Sequence, residues 1–288
     1  EVLVLKSDPI TFATDSIGNY AVLVNANDIA TAGAAPRWFL STLMFPIGTS
    51  AFNVQQVMAE LRRICRQWDI TLCGGHTEIT DAVTRPVVTG MMAGTVTRSN
   101  LIDKQNIKPG DQVLFTKAVC VEGTAIVARE FDGRLKNLGV AQSYIDKCRR
   151  FLDNIGILKE ARIAGDIEGV SAMHDVTEGG LATALEELSI AGGHHIRVEI
   201  DKIPIYRETT RICGLLKIDP LGLIGSGSLI ICCRQKASEL LMQEIKKIGI
   251  PVTVIGEVRD AGRGIEAMRQ RKPVAWPKFE VDEITRLF

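Results

Sequence analysis

The sequence predicts an α/β (α+β) protein of two domains. Its 288 residues are long enough for two domains. Short apolar strands alternate with segments of helical periodicity in both halves. Polar residues around the turn Lys108-Pro109-Gly110-Asp111 separate the halves. We predict an N-terminal domain over residues 1–106, a C-terminal domain over 107–270 and a wrapping extension over 271–288.

The N-terminal domain is predicted to run strand, helix, strand, helix, strand, strand. The elements span, in order, residues 2–7, 17–31, 37–46, 53–68, 70–73 and 85–96. Ser16 would cap the first helix, and Gly33 and Pro36 would end it. Residues 74–78 would form a loop between the last two strands.

The C-terminal domain continues the alternation of strands and helices. Strands are predicted over residues 112–116, 170–173, 196–200, 227–233 and 252–258. Helices are predicted over residues 122–131, within 141–164, and over 181–191, 205–213 and 237–248. This pattern again indicates a sheet covered by helices.

The composition argues against several classes of function. Lys+Arg and Asp+Glu both number 34, so no basic field favours nucleic acid. No apolar run is long enough to span a membrane, and the start lacks the basic head of a signal peptide. Seven scattered cysteines indicate reduced thiols and a cytoplasmic location.

The first predicted helix is apolar nearly all the way round, yet it carries Asn25, Asn27 and Asp28. Such a helix is usually buried, and an isolated buried charge is costly. Asp8 and Asp15 add two acids nearby, and carboxylates suit Mg²⁺. The alternative is that Asp15 supports the helix start and Asp28 pairs with an arginine.

Gly74-Gly75-His76-Thr77-Glu78 follows a short apolar strand. Paired glycines let backbone N–H groups approach a ligand, and the polar side chains can contact metal, phosphate or a nucleotide. The segment lacks the Gly-Lys-Ser/Thr of a Walker motif. The alternative is a Gly-Gly turn with an exposed histidine.

The segment His174 to Leu181 has a similar pattern, with a strand before it and a helix after it. Thr177 could cap the helix, and Gly179 and Gly180 lie near its first turn. Because a helix N-terminus attracts phosphate, this segment is a second candidate site. The alternative is a capped helix without a ligand. Together with the acidic helix, the two segments predict a nucleotide–Mg²⁺ site between domains or subunits.

Several of these motifs match one known superfamily. Asn27-Asp28-Ile29-Ala30-Thr31-Ala32-Gly33-Ala34-Ala35-Pro36 resembles the Asn-Asp-hydrophobic-Ala-x-x-Gly-Ala-x-Pro signature of the aminoimidazole ribonucleotide synthetase (PurM-like) superfamily. Residues 74–78, 122–130 and 174–188 resemble its further motifs in the same order. The C-terminal half is most similar to hydrogenase maturation proteins of the hydrogenase expression/formation E type.

The resemblance implies a PurM-like fold whose N-terminal mixed sheet forms a homodimer, with ATP and Mg²⁺ as cofactors. It implies ATP-dependent activation of an amide-type or carbonyl oxygen, and a maturation-type protein partner. Asp8 and Asp28 would hold Mg²⁺, with Asp28, His76 and Asp175 catalytic. The remaining nucleotide or substrate contacts would come from Asn27, Gly74, Gly75, Thr77, Thr177, Gly179 and Gly180.

The sequence also departs from these relatives. His76 stands where they usually have Asp. Their Pro-Arg-x-Cys ending and their Gly-Asp-Asp-type segment before the first strand do not occur in the sequence as given. Two alternatives therefore stay open: a small-molecule kinase or synthetase like thiamine monophosphate kinase, and a non-catalytic dimer that binds a nucleotide.

Overall fold

The protein is described by a computed structural model, which covers residues 1–11 and 15–288. The chain forms two compact units, Glu1–Leu101 and Ile102–Phe288. Each unit has its own β-sheet, four-stranded in the first and seven-stranded in the second. The predicted α/β (α+β) fold class is therefore confirmed.

Unit 1 consists of a mixed sheet with two helices. Its elements are β1 (Val2–Ile10), α1 (Ile17–Thr31), β2 (Ala35–Pro46), α2 (Ala51–Gln67), β3 (Thr71–Thr80) and β4 (Val87–Val96). The spatial order of the strands is β1-β4-β2-β3. β2 and β3 run parallel, and the other neighbours are antiparallel. The element order agrees with the predicted one.

Helix α1 is the core element of unit 1, because nearly all its residues are buried. It lies close to β4 at Gly90, where an added Cβ would come within 2.5 Å of Asn25 Nδ2. Ser16 is the N-cap residue of α1, as predicted, but its side chain does not cap the helix. Ser16 has a left-handed backbone (φ 58°) without a capping hydrogen bond. Its hydroxyl instead donates to Asp15 Oδ1 at 3.2 Å.

The predicted loop over residues 74–78 is wrong, because these residues lie inside β3. β2 pairs in parallel with residues Thr71 to Thr80, so β3 continues as a strand through the glycines. Gly75 fits because its φ is +150° and a Cβ there would lie 1.9 Å from Ser41 O.

The face of the unit 1 sheet that points away from the helices is apolar and open. Exposed and half-buried residues alternate along β1, as expected when one face of a strand is covered. The large apolar side chains on the open face are Leu3, Leu5, Trp38, Leu40 and Met91, each at least 40% exposed. An apolar surface of this extent is typical of a protein interface.

Unit 2 consists of a seven-stranded mixed sheet with seven α-helices described. Its strands are β5 (Gln112–Thr116), β6 (Val170–Asp175), β7 (His194–Glu199), β8 (Leu229–Cys233), β9 (Val252–Ala261), β10 (Ile265–Arg269) and β11 (Lys272–Val274). Its helices are α3 (Val121–Glu130), α4 (Asp132–Asn137), α5 (Gln142–Arg149), α6 (Leu158–Gly165), α7 (Gly180–Gly192), α8 (Arg207–Leu216) and α9 (Gln235–Lys247). The strand order is β11-β10-β7-β9-β5-β8-β6, so the core lies around β5 and β8.

A buried lysine fixes the loops beside β6. Lys117 Nζ donates to the carbonyl oxygens of Gly156 at 2.8 Å and Gly227 at 2.7 Å. It also lies 2.7 Å from Glu160 Oε1, in an almost fully buried ion pair. Burial lowers the pKa of Lys117, and Glu160 partly offsets that effect. These contacts hold the loop at Gly227 next to the end of β6.

The C-terminal segment, defined here as residues 275–288, lies on unit 2. Trp276 Nε1 donates to Ala182 O at 3.3 Å, on helix α7. The rings of Phe131 and Phe288 meet edge to face, with centroids 5.0 Å apart. A short 3₁₀ turn, Glu283–Leu287, anchors the end of the segment through buried side chains.

Candidate functional site

Two predicted metal ligands of unit 1 converge on one lysine. Lys6 Nζ lies 3.0 Å from Asp8 Oδ2 and 3.2 Å from Asp28 Oδ2. All three side chains are partly exposed, at 35%, 32% and 22% respectively. Burial disfavours the charged form of Lys6, but the two carboxylates outweigh that effect and raise its pKa. The ammonium is therefore charged throughout the physiological range.

Asn25 fixes the backbone that carries Asp8. The Asp8 N–H donates to Asn25 Oδ1 at 2.9 Å, and Asn25 Nδ2 donates to Asp8 O at 3.3 Å. Asn25 is fully buried, and its Nδ2 also donates to Ala21 O at 2.9 Å within α1. The amide thus holds β1 against α1 at the position of Asp8. Asn27, also predicted as a site residue, is fully buried in the same helix.

The donor chemistry around Lys6 fits a hard cation. Two carboxylates already share one positive charge, and Mg²⁺ in nucleotide sites takes one or two carboxylates besides water and phosphate oxygens. Among residues 1–11 and 15–288, no group of three or more His, Cys, Asp or Glu could hold a metal ion. The residues therefore fit a metal whose other ligands come from a nucleotide, rather than an all-protein metal site.

The other predicted residues of unit 1 lie at the opposite edge of its sheet. His76 and Glu78 point to the open face of β3, with Nε2 and Oε2 3.8 Å apart and both side chains largely exposed. Thr77 points to the other face, beside the buried Leu43 in the register. With two strands between β1 and β3, Asp8 and Gly75 are separated by roughly 14 Å. One chain's unit 1 therefore does not bring them together.

In unit 2, Asp175 ends strand β6 in a buried position. Within the described chain, its Oδ2 is buried and accepts no hydrogen bond. Its Oδ1 lies 3.8 Å from His174 Nδ1, which contacts the Asp175 carbonyl at 2.7 Å. The other ring nitrogen of His174 lies 3.2 Å from Glu187 Oε2 on helix α7. His174 therefore contacts Asp175 through its backbone carbonyl and also faces its side chain.

The prediction that Thr177 caps helix α7 is wrong. The N-cap is Gly179, in a left-handed conformation without a side-chain cap. Gly180 fits because a Cβ would lie 2.5 Å from Leu221 O. The Gly179 N–H, expected to attract phosphate, donates to Asp282 Oδ2 at 2.7 Å. A carboxylate of the C-terminal segment therefore occupies this anion position.

Asp282 is held by several backbone groups. Its Oδ1 also accepts the Ile284 N–H at 2.8 Å, and its pKa is further affected by a hydrogen bond from Ile224. Burial raises the pKa of Asp282, and these N–H donors partly offset the rise. No local pattern in the sequence pairs Asp282 with Gly179, since more than a hundred residues separate them.

Glu122 is a second buried carboxyl group of this region. Its Oε2 accepts the Ser226 N–H at 3.2 Å. Burial raises the pKa of Glu122 to about 7, with smaller contributions from Glu178 and Asp282. The sequence indicated Glu122 only as part of a motif. By contrast, the position of Lys6 near Asp8 could be predicted from the sequence, because a strand places both residues on the same face.

Two family models match this chain, one in each unit. The model described as AIR synthase related protein, N-terminal domain, matches residues 2–96. The model of the C-terminal domain of AIR synthase related proteins matches residues 108–268.

Individual relatives are hydrogenase maturation proteins. A Methanocaldococcus jannaschii protein named for hydrogenase expression/formation is 27% identical, covering 93% of this chain and 78% of its own length. Carbamoyl dehydratase HypE of Cupriavidus necator is 26% identical, covering 91% of this chain and 73% of its own.

Solved structures share the fold. Escherichia coli HypE superposes with a TM-score of 0.83 at 21% identity, covering 98% of this chain and 87% of its own. A HypE complex with ATP superposes with a TM-score of 0.81 at 19% identity, covering 97% of this chain and 86% of its own. HypE in a HypE–HypF complex gives 0.80 at 20% identity, over 96% and 90%. No described helix has the length and apolar character needed to cross a bilayer.

Proposed function

The chain belongs to the AIR synthase related protein family, and we therefore propose that it is an ATP- and Mg²⁺-dependent enzyme. Its reaction is the activation of an amide-type or carbonyl oxygen by phosphorylation, as in hydrogenase maturation. The observation that carries the proposal is the convergence of Asp8 and Asp28 on one cation position within the family signature. The names of the relatives support the reaction class.

Asp8 and Asp28 hold Mg²⁺ in this proposal. The metal, when bound, offsets the negative charge of the transferring phosphoryl group. The Asn25 amide keeps Asp8 in place through two backbone hydrogen bonds, so one carboxylate is positioned before ligands arrive. Asn27 lies one residue before Asp28 in the same turn of α1. Catalysis here rests on positioning and charge neutralisation.

Gly74, Gly75 and Thr77 form the nucleotide wall in this proposal, with His76 at its open face. They lie across the sheet from the carboxylate pair, so a homodimer supplies a second copy of each edge to one site. The open apolar face of the unit 1 sheet supports such a dimer. A HypE–HypF complex among the relatives supports a maturation-type partner protein as well.

The end of β6 and the start of α7 receive the substrate in this proposal. Asp175 offers a buried carboxylate oxygen that accepts no hydrogen bond from the described residues. Thr177, Gly179 and Gly180, which follow Asp175 in the chain, contribute the contacts to an anionic group in the same proposal. An anionic group that reaches the Gly179 N–H must exchange with the Asp282 carboxylate.

Calorimetric titration of the full chain with ATP tests the metal part of the proposal. We expect binding that requires Mg²⁺, and an affinity at least about tenfold lower in Asp28→Asn. Asp81→Asn is the matched control, because Asp81 is an exposed acid of unit 1 outside the site. Equal affinities in Asp28→Asn and the wild type would remove Asp28 from the metal site.

A further inference from the structure

Lys6 is the only lysine among residues 1–101, and it stands between the two proposed metal ligands. Its place follows from the strand, since residues 6 and 8 of β1 share a face. The backbone that carries each carboxylate is fixed independently of Lys6. Asp8 is tied to Asn25 through its backbone, and Asp28 belongs to the buried helix α1.

We propose that Lys6 is the resident counter-ion of this pair, and that a divalent cation binds there by exchange with its ammonium group. The inference rests on the proposed function only in assigning Asp8 and Asp28 to the metal. Nζ lies 3.0 and 3.2 Å from the two carboxylate oxygens, so the ammonium occupies the position between them that a shared metal ion would take. Two cations cannot share that space, because like charges at contact distance repel strongly.

The exchange gives Lys6 a positioning role that couples metal to nucleotide. Without a nucleotide, a metal ion gains two carboxylates but must displace an ammonium from both. With a nucleotide, phosphate oxygens add anionic ligands for the metal and for the displaced lysine. Lys6 therefore weakens the binding of bare metal more than that of the metal–nucleotide complex.

Mn²⁺ binding, followed by the electron paramagnetic resonance signal of the free ion, tests this without nucleotide. Lys6→Met retains much of the aliphatic side chain and removes the charge, so we expect Mn²⁺ to bind at least about tenfold tighter than to wild type. Lys6→Gln is a second neutral variant with the same expectation. Lys6→Arg keeps the charge and is expected to bind as weakly as wild type.

Two control variants test whether the tighter Mn²⁺ binding depends on Asp8 and Asp28. Arg62→Gln removes an exposed positive charge from α2 and is expected to leave Mn²⁺ affinity unchanged. The double variant Lys6→Met with Asp28→Asn is expected to lose the tighter Mn²⁺ binding of Lys6→Met. Thermal melts confirm that each variant is folded.

Three outcomes would overturn the inference. The first is a folded Lys6→Met or Lys6→Gln variant that binds Mn²⁺ no tighter than wild type. The second is a gain that survives Asp28→Asn, and the third is an equal gain in Arg62→Gln. A failure of the proposed function is distinguishable, because it appears as an absence of ATP binding while the Mn²⁺ results stand unchanged.

Discussion

His174 is a buried histidine whose charge is set by the residues around it. Its ring nitrogens face Asp175 at 3.8 Å and Glu187 at 3.2 Å, and Lys104 is the nearby cation. Burial and Lys104 disfavour the imidazolium, but the two carboxyl groups outweigh them and raise its pKa. A raised folded-state pKa stabilises the protein fully below the ordinary histidine value, 6.5, and that contribution is lost as pH rises through the folded-state pKa.

The variant Glu187→Gln tests this ion pair. In the wild type, the free energy of unfolding is expected to fall above pH 6.5 through loss of the imidazolium. Because Glu187 is more than half exposed, the pair contributes roughly 1 kcal/mol or less. Urea unfolding between pH 5.5 and about 8.5 should show a smaller fall in the variant. Glu186→Gln, on the same helix, should behave as wild type. An equal fall of the unfolding free energy with pH in all three proteins would refute the ion pair.

At the residue scale, the sequence could predict which residue types matter better than what they contact. The position of Asp28 on an apolar helix predicted a partner for its charge, and the ammonium of Lys6 lies 3.2 Å from its carboxylate. The two-residue periodicity of strand β1 predicts that Lys6 lies on the same face as Asp8. Asp282 had no such signal, because only the folded C-terminal segment brings it to Gly179.

At the element scale, the open face of the unit 1 sheet is the feature with the clearest consequence. β1, β4 and β2 display large apolar side chains there, which would cost solvation free energy in a monomer. The proposed homodimer buries this face, and a charge placed in its centre would be desolvated without a partner.

Leu40→Glu therefore should weaken dimerisation at least about tenfold. Sedimentation equilibrium at several protein concentrations measures the dissociation constant. Leu240→Glu is the matched control, because Leu240 is similarly exposed but lies on helix α9 of unit 2. A wild-type protein that stays monomeric, or a Leu40→Glu dimer as stable as wild type, would exclude this face as the interface.

Elements were predictable from sequence where their hydrophobic periodicity was strong. Helix α1 and strand β4 fall close to their predicted bounds. β3 runs past its predicted end because the edge of β2 pairs with its glycines, a long-range contact that local propensity cannot show. β10 and β11 were missed, since their short and largely polar sequences carry little hydrophobic signal.

At the scale of the whole molecule, alternation of strands and helices predicted the fold class, and the ordered motifs predicted the family. Strand order was beyond the sequence, because β1-β4-β2-β3 depends on pairing between distant segments. That order also explains why the predicted site residues of unit 1 lie at two edges of one sheet. A site that draws on both edges depends on assembly, which a single chain's pattern does not encode.

We propose that the protein consumes ATP to activate an amide-type or carbonyl oxygen, and a coupled assay of ADP formation measures this activity. The full chain is incubated with Mg²⁺, ATP and a panel of amides, amines and phosphorylated metabolites. We expect Mg²⁺-dependent ADP formation with amide-type co-substrates, reduced at least about a hundredfold in Asp175→Asn. ADP formation only with phosphorylated metabolites or amines, or none with any member of the panel, would contradict it.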